Sequence, residues 1–312
     1  MRDQPAAAGV KARGPVSDRP GQVGRLRSWT VLELLRWTTD YFKRSGIDSA
    51  RLDAEVLLAH VLEMDRLRLY VDYEKPVQAD ERNRFRALVQ RRATDRVPVS
   101  LLLGKRGFWS LEFRVTSDVL TPRPETETLV EAGLSKIPDP KSVATILDLG
   151  TGSGVIALTL ASERPQAVIT ATDLSKAALQ IAAENADHLQ MGERVRFLAG
   201  DLFEPVACER FDLIVSNPPY LARDDAGSLP PELAHEPEMA LFAGGDGLDV
   251  IRSLVAQAGD HLSPGGWLFI ELSPEQVERV EQEFTGAGFE KLERRFDLAG
   301  RPRVVGARWS GQ

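Results

Sequence analysis

Cysteine is almost absent. Cys208 stands alone in 312 residues, which excludes an internal disulfide and a thiolate cage for zinc. Histidine is scarce as well, and His60, His188, His235 and His261 lack the spacing of a ligand set. No apolar run approaches the roughly eighteen residues that span a bilayer. Residues 1–28 also lack the apolar core of a secretory leader. A metal-free protein of a reducing cytoplasm is the expectation.

Positive charge is short in the part of the chain that matters most. The net charge of −7 divides unevenly: six basic against two acidic groups over residues 1–28, thirteen against twelve over 29–97, and twenty against thirty-two thereafter. A strongly acidic C-terminal part is a poor platform for a nucleic-acid duplex, whose binding leans on phosphate neutralisation.

What is present falls into four stretches. Residues 1–28 are rich in Ala, Gly, Pro and Arg without periodicity, and read as a disordered extension. Their Arg excess also fits an organelle transit peptide, but the serines and the amphipathic pattern are missing. Residues 29–97 read as a small helical domain. Thr30 with Glu33 forms a capping box for the first helix, which Gly46 ends. A second helix opens at Ser49, and a third runs from Ala79–Asp80 to Thr94, with Arg82, Arg84, Arg86, Arg91 and Arg92 placed on its exposed face. Residues 98–122 read as a β-hairpin linker, from the alternation of Phe108 to Val115 between glycine turns. From residue 123 a helix, begun by Pro124 and running from Thr126 to Lys136, leads into alternating strands and helices, the mark of a doubly wound sheet. Strands are expected at Thr145–Asp148, Val168–Thr172, Val195–Ala199, Leu213–Ser216 and Trp267–Leu272, with a last pair near Lys291–Phe296 and Arg303–Ala307.

The chain is organised around Phe211-Asp-Leu-Ile-Val-Ser-Asn-Pro-Pro-Tyr220. An apolar strand stops at two prolines, which cannot continue a ladder and which stiffen the peptide just past it. Ligands bind at the carboxyl ends of strands in an open α/β sheet. There the Asn217 amide offers an acceptor and donors, the Pro218 carbonyl adds a second acceptor, and Tyr220 adds a flat face. The set suits a planar NH2 group, an amide or the exocyclic amine of a base. A plain strand-ending turn is the competing reading.

Three further strand ends carry acids or glycines. Asp148-Leu-Gly-Thr-Gly-Ser-Gly154 follows the first sheet strand, so Gly150, Thr151, Gly152, Ser153 and Gly154 can let a ligand approach the backbone. The spacing is G-x-G-x-G, not the G-x-G-x-x-G of dinucleotide-binding folds. Asp148 would repel a pyrophosphate but attract a cation. Asp173, followed by Leu174, can take both hydroxyls of a ribose, and Asp201 with Leu202 can receive an adenine. Together they point to S-adenosylmethionine.

These residues match a family. From about Thr30 to Ala307 the chain resembles the release-factor glutamine N5-methyltransferases. The resemblance rests on Ala50-Arg-Leu-Asp-Ala-Glu-Val-Leu-Leu58, Phe108-Trp109, Thr121-Pro-Arg-Pro-Glu-Thr-Glu127, Asp148 to Gly154, and Ser216-Asn-Pro-Pro-Tyr220. It extends to Glu236-Pro-Glu-Met-Ala-Leu241, Gly245-Asp-Gly-Leu248 and Asp297-Leu-Ala-Gly-Arg-Pro-Arg303. One departure is Ser273, where the family often has glycine in Glu-x-Gly-x-x-Gln; Gln276 is kept.

The resemblance implies a Rossmann-like class I methyltransferase sheet of seven strands, the last antiparallel, joined to the helical domain. It implies that the substrate is the glutamine of the Gly-Gly-Gln loop in class 1 peptide chain release factors, with the helical domain docked on the factor. Asn217, Pro218 and Tyr220 would be catalytic, and Asn217 would also border the donor. Phe108, Arg123, Glu125, Glu127 and Pro219 would line the glutamine slot with them. The expected protein is a cytoplasmic monomer without stable nucleic-acid or membrane association. The rivals are methylation of an exocyclic amine in nucleic acid, a Rossmann oxidoreductase, and a binding protein without turnover. The acidic balance counts against the first, the glycine spacing against the second.

Overall fold

The computed structural model describes residues 29–311, and the expectation of a disordered extension over residues 1–28 lies outside them. The chain begins with helices α1 (Val31–Arg44), α2 (Ala50–Val61), α3 (Arg66–Val71), α4 (Ala79–Thr94) and α5 (Val99–Leu103). Thr30 caps α1 as its spacing requires: its hydroxyl accepts from the Glu33 amide at 3.3 Å, and the Glu33 carboxylate accepts from the Thr30 amide at 3.1 Å. Phe42, Leu57, Leu58, Leu69, Phe85 and Val89 form the bundle core. The sequence did not suggest α3 and α5, which are one or two turns long and hold by packing.

One sequence expectation fails in α4. Arg84, Arg86 and Arg91 are exposed, but Arg92 is buried. It recurs with Phe85 and Val89 at spacings of four and three, so it falls on the inward stripe. Asp53 meets it there at 2.7 Å.

A hairpin of β1 (Lys105–Phe108) and β2 (Leu111–Arg114) follows, and then a short 3-10 turn, Pro124–Thr126, leads into α6 (Glu127–Leu134). The main sheet is built from β3 (Thr145–Leu149), β4 (Val168–Asp173), β5 (Val195–Ala199), β6 (Phe211–Ser216), β7 (Leu262–Glu271), β8 (Phe289–Phe296) and β9 (Pro302–Trp309). Its order is β5-β4-β3-β6-β7-β9-β8, with β9 antiparallel to both neighbours and the rest parallel. This is the class I methyltransferase arrangement. β7 starts earlier than its apolar run suggests, because Ser263 to Gly266 pass through a register shift against β6 and remain in the strand.

Alternation along the strands loads both faces. Ile146, Leu213, Val215 and Phe269 pack under α6 and α7 (Val155–Glu163). Leu147, Leu149, Ile214, Leu268 and Ile270 pack under α9 (Asp249–Ala258) and α10 (Val277–Gly286). Helix α8 (Lys176–His188) joins β4 to β5. The strand order reverses between β3 and β6, and both strands end at the same edge, where such sheets bind ligands. No helix among the described residues is long and apolar enough to cross a membrane.

Candidate active site

The glycine loop after β3 has left-handed backbone at Gly150 (φ 70°), Gly152 (φ 56°) and Gly154 (φ 81°). A Cβ at Gly150 or Gly152 would meet nothing within 4 Å. Those two glycines therefore answer a backbone need and leave the space in front of the loop open. Beneath it, Asp148 is wholly buried. Its Oδ2 accepts from the Thr151 hydroxyl at 2.6 Å and the Ala157 amide at 3.1 Å, while Oδ1 has no partner among the described residues. Burial, with a smaller push from the nearby Asp173 charge, raises its pKa to about 7.

Asp173 ends β4. Its carboxylate accepts from the Gly152 amide and the Ser175 amide, each at 2.8 Å. Burial raises its proton affinity, and those two amides oppose the rise. Asp173, Leu174, Asp201 and Leu202 line one cavity with Gly150, Thr151, Gly152 and Ser153. Leu174 is 60% exposed at its mouth.

A second cavity lies on the other side of Asn217, which lines both. It is bordered by Arg123, Glu125, Pro218, Tyr220, Glu271 and Arg303, while Pro219 turns to the first cavity. The turn that carries these residues is fastened from behind. Gln276 Nε2 donates to the Tyr220 carbonyl at 2.9 Å and the Gly247 carbonyl at 3.3 Å. Gly247 has φ 75°, and a Cβ there would stand 2.4 Å from the Tyr220 carbonyl oxygen. Ser273 completes a capping box with Gln276, so the replacement of the family glycine supports the residue that holds the turn. Burial first, and then the Glu271 charge, push the Tyr220 hydroxyl up to about 12, so it stays neutral. Arg123 donates to the buried Glu236 at 2.6 Å. Glu125 lies 3.9 Å from Arg301.

Asn217 Nδ2 donates to the Thr126 hydroxyl at 3.2 Å, and its Oδ1 is buried without a partner among the described residues. Such an oxygen is costly to leave unpaired. It suits a donor group brought by a ligand.

Besides Pro219, four residues stand elsewhere than the sequence suggested, one of them Gly154, which does not line the first cavity and where a Cβ would meet Ala182 and Leu158 at 3.1 Å. Phe108 is 3% exposed and packs edge-on to Phe113 in the core, away from both cavities. Glu127 accepts from the Trp109 amide at 3.0 Å and so holds the hairpin turn. Asp148 ties down the glycine loop from below and does not line the cavity. Other residues of the site gave no motif signal. Asn185 of α8 donates to the Ser153 carbonyl at 2.8 Å and accepts from the Arg114 amide at 2.7 Å, joining the glycine loop to the hairpin. Glu232 reaches the second cavity from the turn Pro231–His235. A lone polar residue in a helix or loop carries no pattern, and its role depends on what folds against it.

The first cavity fits S-adenosylmethionine. Asp173 keeps lone pairs beyond its two amide bonds for a ribose diol. Leu174 and Leu202 would offer apolar surface to a flat base beside Asp201, and the open glycines would leave room for the methionyl end.

Residues 33–104 match the PrmC N-terminal domain family, and residues 128–247 match the methyltransferase small domain family. The release factor glutamine methyltransferase of Geobacter sulfurreducens is 43% identical over 281 residues, covering 90% of this chain and 97% of its own length. That of Xylella fastidiosa (strain Temecula1) is 47% identical over 261 residues, covering 84% and 94%. Among solved structures, the hMettl16 catalytic domain in complex with a MAT2A 3′UTR hairpin has a TM-score of 0.53 at 16% identity, covering 75% of this chain and 83% of that chain. That likeness concerns the fold alone. Identity at the level of the two bacterial enzymes, over 84–90% of this chain, shows that it belongs to the release factor glutamine methyltransferase family.

Proposed function

We propose that the protein transfers the methyl group of S-adenosylmethionine to the side-chain amide nitrogen, N5, of the glutamine in the Gly-Gly-Gln loop of class 1 peptide chain release factors, in the cytoplasm. The observation that carries this reading is Asn217. It stands between the two cavities with a buried carbonyl oxygen that no group among the described residues satisfies.

The sulfonium supplies an activated methyl group when the donor is bound. The difficulty lies with the acceptor, because an amide lone pair is delocalised. Asn217 Oδ1 and the Pro218 carbonyl accept the two N–H groups and hold the lone pair toward the methyl group. Alignment of this kind is worth up to about 7–11 kcal/mol when the geometry is tight. The same two acceptors favour the positive charge that grows on nitrogen. One amide proton is lost to water as the N–C bond forms. Tyr220, neutral across the working range, walls the side chain. Glu125 of the Pro124–Thr126 turn and Glu232 and Leu233 of the Pro231–His235 turn line the second cavity, which would receive the factor's loop.

The charge balance after residue 97 favours a protein over a duplex as partner. The helical bundle offers surface for it: Leu67 and Val71 on α3 are 80% and 69% exposed. The test uses purified release factor and radioactive donor. One methyl group per factor is expected, and none on the factor whose loop glutamine is changed to alanine. Label on that variant, or on DNA or RNA in place of the factor, would sink the proposal.

A further inference from the structure

Asn185 lies on the buried face of α8 and is fully enclosed. Its Oδ1 accepts from the Arg114 amide at 2.7 Å. Its Nδ2 donates to the Arg114 carbonyl at 3.1 Å and to the Ser153 carbonyl at 2.8 Å. The side chain has two protons to give, and both are given. Its orientation is fixed by its partners, because a backbone N–H only donates and a carbonyl only accepts. A flipped amide would lose all three bonds, a costly change for buried groups.

The two segments that Asn185 joins both lead to ligand space. Ser153 belongs to the glycine loop and lines the first cavity, with its own hydroxyl buried and unpartnered among the described residues. Ala182, three residues earlier on α8, stands against Gly154 of the same loop. Arg114 ends β2, and the chain beyond it is laid on the same helix, where Val115 and Val119 cluster with Ala178 and Ile181. Asp118, Val119 and Leu120 then line the first cavity, and Leu120 and Arg123 line the second as well. Residues 115–123 are thus a wall common to both cavities. Asn185 fixes the start of that wall against the loop that bounds the first cavity from below.

We propose that Asn185 is a positioning residue that couples the two binding events, so that donor and release factor bind cooperatively. The inference rests on the proposed assignment of the first cavity to the donor and the second to the factor's loop. A donor seated between Ser153 and the Asp118–Leu120 stretch restrains both. The common wall is then already ordered when the factor arrives, and a second ligand that meets an ordered site binds more tightly. Asn185 itself lines neither cavity, so its effect on either ligand passes through the segments it holds.

The test measures binding of intact release factor to the full-length enzyme with and without S-adenosylhomocysteine, the donor lacking its methyl group, so that no transfer occurs. In the wild type the factor should bind at least about fivefold more tightly with this ligand present, and the ligand should gain by the same ratio from the factor. Asn185→Ala should weaken S-adenosylhomocysteine at least about tenfold, the scale of lost buried hydrogen bonds. It should also bring the coupling ratio to within about twofold of one. Asn185→Asp keeps the acceptor for Arg114 but sets a carboxylate against two carbonyls, and should do the same. A residue that only stabilises the fold would lower the denaturation midpoint and leave the coupling as in the wild type; that result overturns the inference. A wild-type ratio of one also overturns it, and this measurement decides the matter even where both variants fail to fold. A factor that binds but takes no label sinks the proposed reaction alone, and a wild type that binds no factor overturns both.

Discussion

Arg92 in α4 and Glu232 in the Pro231–His235 turn meet at 2.9 Å, the arginine side chain 7% exposed and the glutamate 21%. Asp53 accepts from the same guanidinium at 2.7 Å, and Arg96 approaches Glu232 at 2.7 Å. His235 bonds the Asp95 carbonyl at 2.7 Å nearby. Desolvation consumes much of what such buried pairs gain. Their consequence is geometric: the helical bundle is pinned to a turn whose Glu232 and Leu233 line the acceptor cavity.

Arg92→Met leaves Asp53 buried without its cation and Glu232 with Arg96 alone. A loss of stability of roughly 3 kcal/mol is expected, as for other broken buried pairs. Chemical denaturation measures it. Activity should suffer mainly as a raised KM for the release factor, with donor affinity little changed. An unaltered denaturation midpoint would show that the pair holds nothing in place.

Asp173→Ala removes the acceptor for the ribose and also frees the Gly152 amide it holds at 2.8 Å. Donor binding should weaken by at least about 1.5 kcal/mol, the scale of a hydrogen bond to a charged group. Calorimetry with S-adenosylmethionine decides it, and an affinity equal to wild type would refute the assignment.

Asp148 gives a pH signature. Its pKa is raised by burial from 3.8 to about 7 in the folded chain. Between those values the folded state holds a proton that the unfolded chain has lost, so its contribution falls as pH rises through the window. Asp148→Asn has no such proton to lose. The variant should therefore gain stability relative to wild type as pH rises from about 4 to about 7, and hold that gain above it. Parallel denaturation curves at several pH values check this, and a constant difference would mean that Asp148 does not titrate there.

Asn217→Ala separates binding from chemistry. It removes an acceptor that matters when the amide is attacked, so kcat should fall by about a hundredfold or more. Donor affinity should change modestly, although the residue borders both cavities. Near-normal turnover would reduce Asn217 to a turn residue.

Local chemistry made part of this legible in the chain itself. Thr30 and Glu33 announce a helix start, because capping needs only residues three apart. The glycines at 150, 152 and 154 announce left-handed backbone, because other residues pay for it sterically. The diproline after Val215-Ser216-Asn217 announces a strand end. Asp173 ends one strand and Asp201 follows another, so both fall on one sheet edge, a consequence of parallel order that apolar patterning already implies. Tertiary structure decided what depends on distant segments meeting. It turned Arg92 inward to Asp53 and Glu232, placed Phe108 against Phe113, and sank Asp148 beneath its own loop. It also brought Thr126 and Asn217 together from positions 91 residues apart, and set Glu271 of β7 in the lining of the cavity that Asn217 borders. Which polar groups share one buried place depends on how distant segments pack, and no local pattern records it.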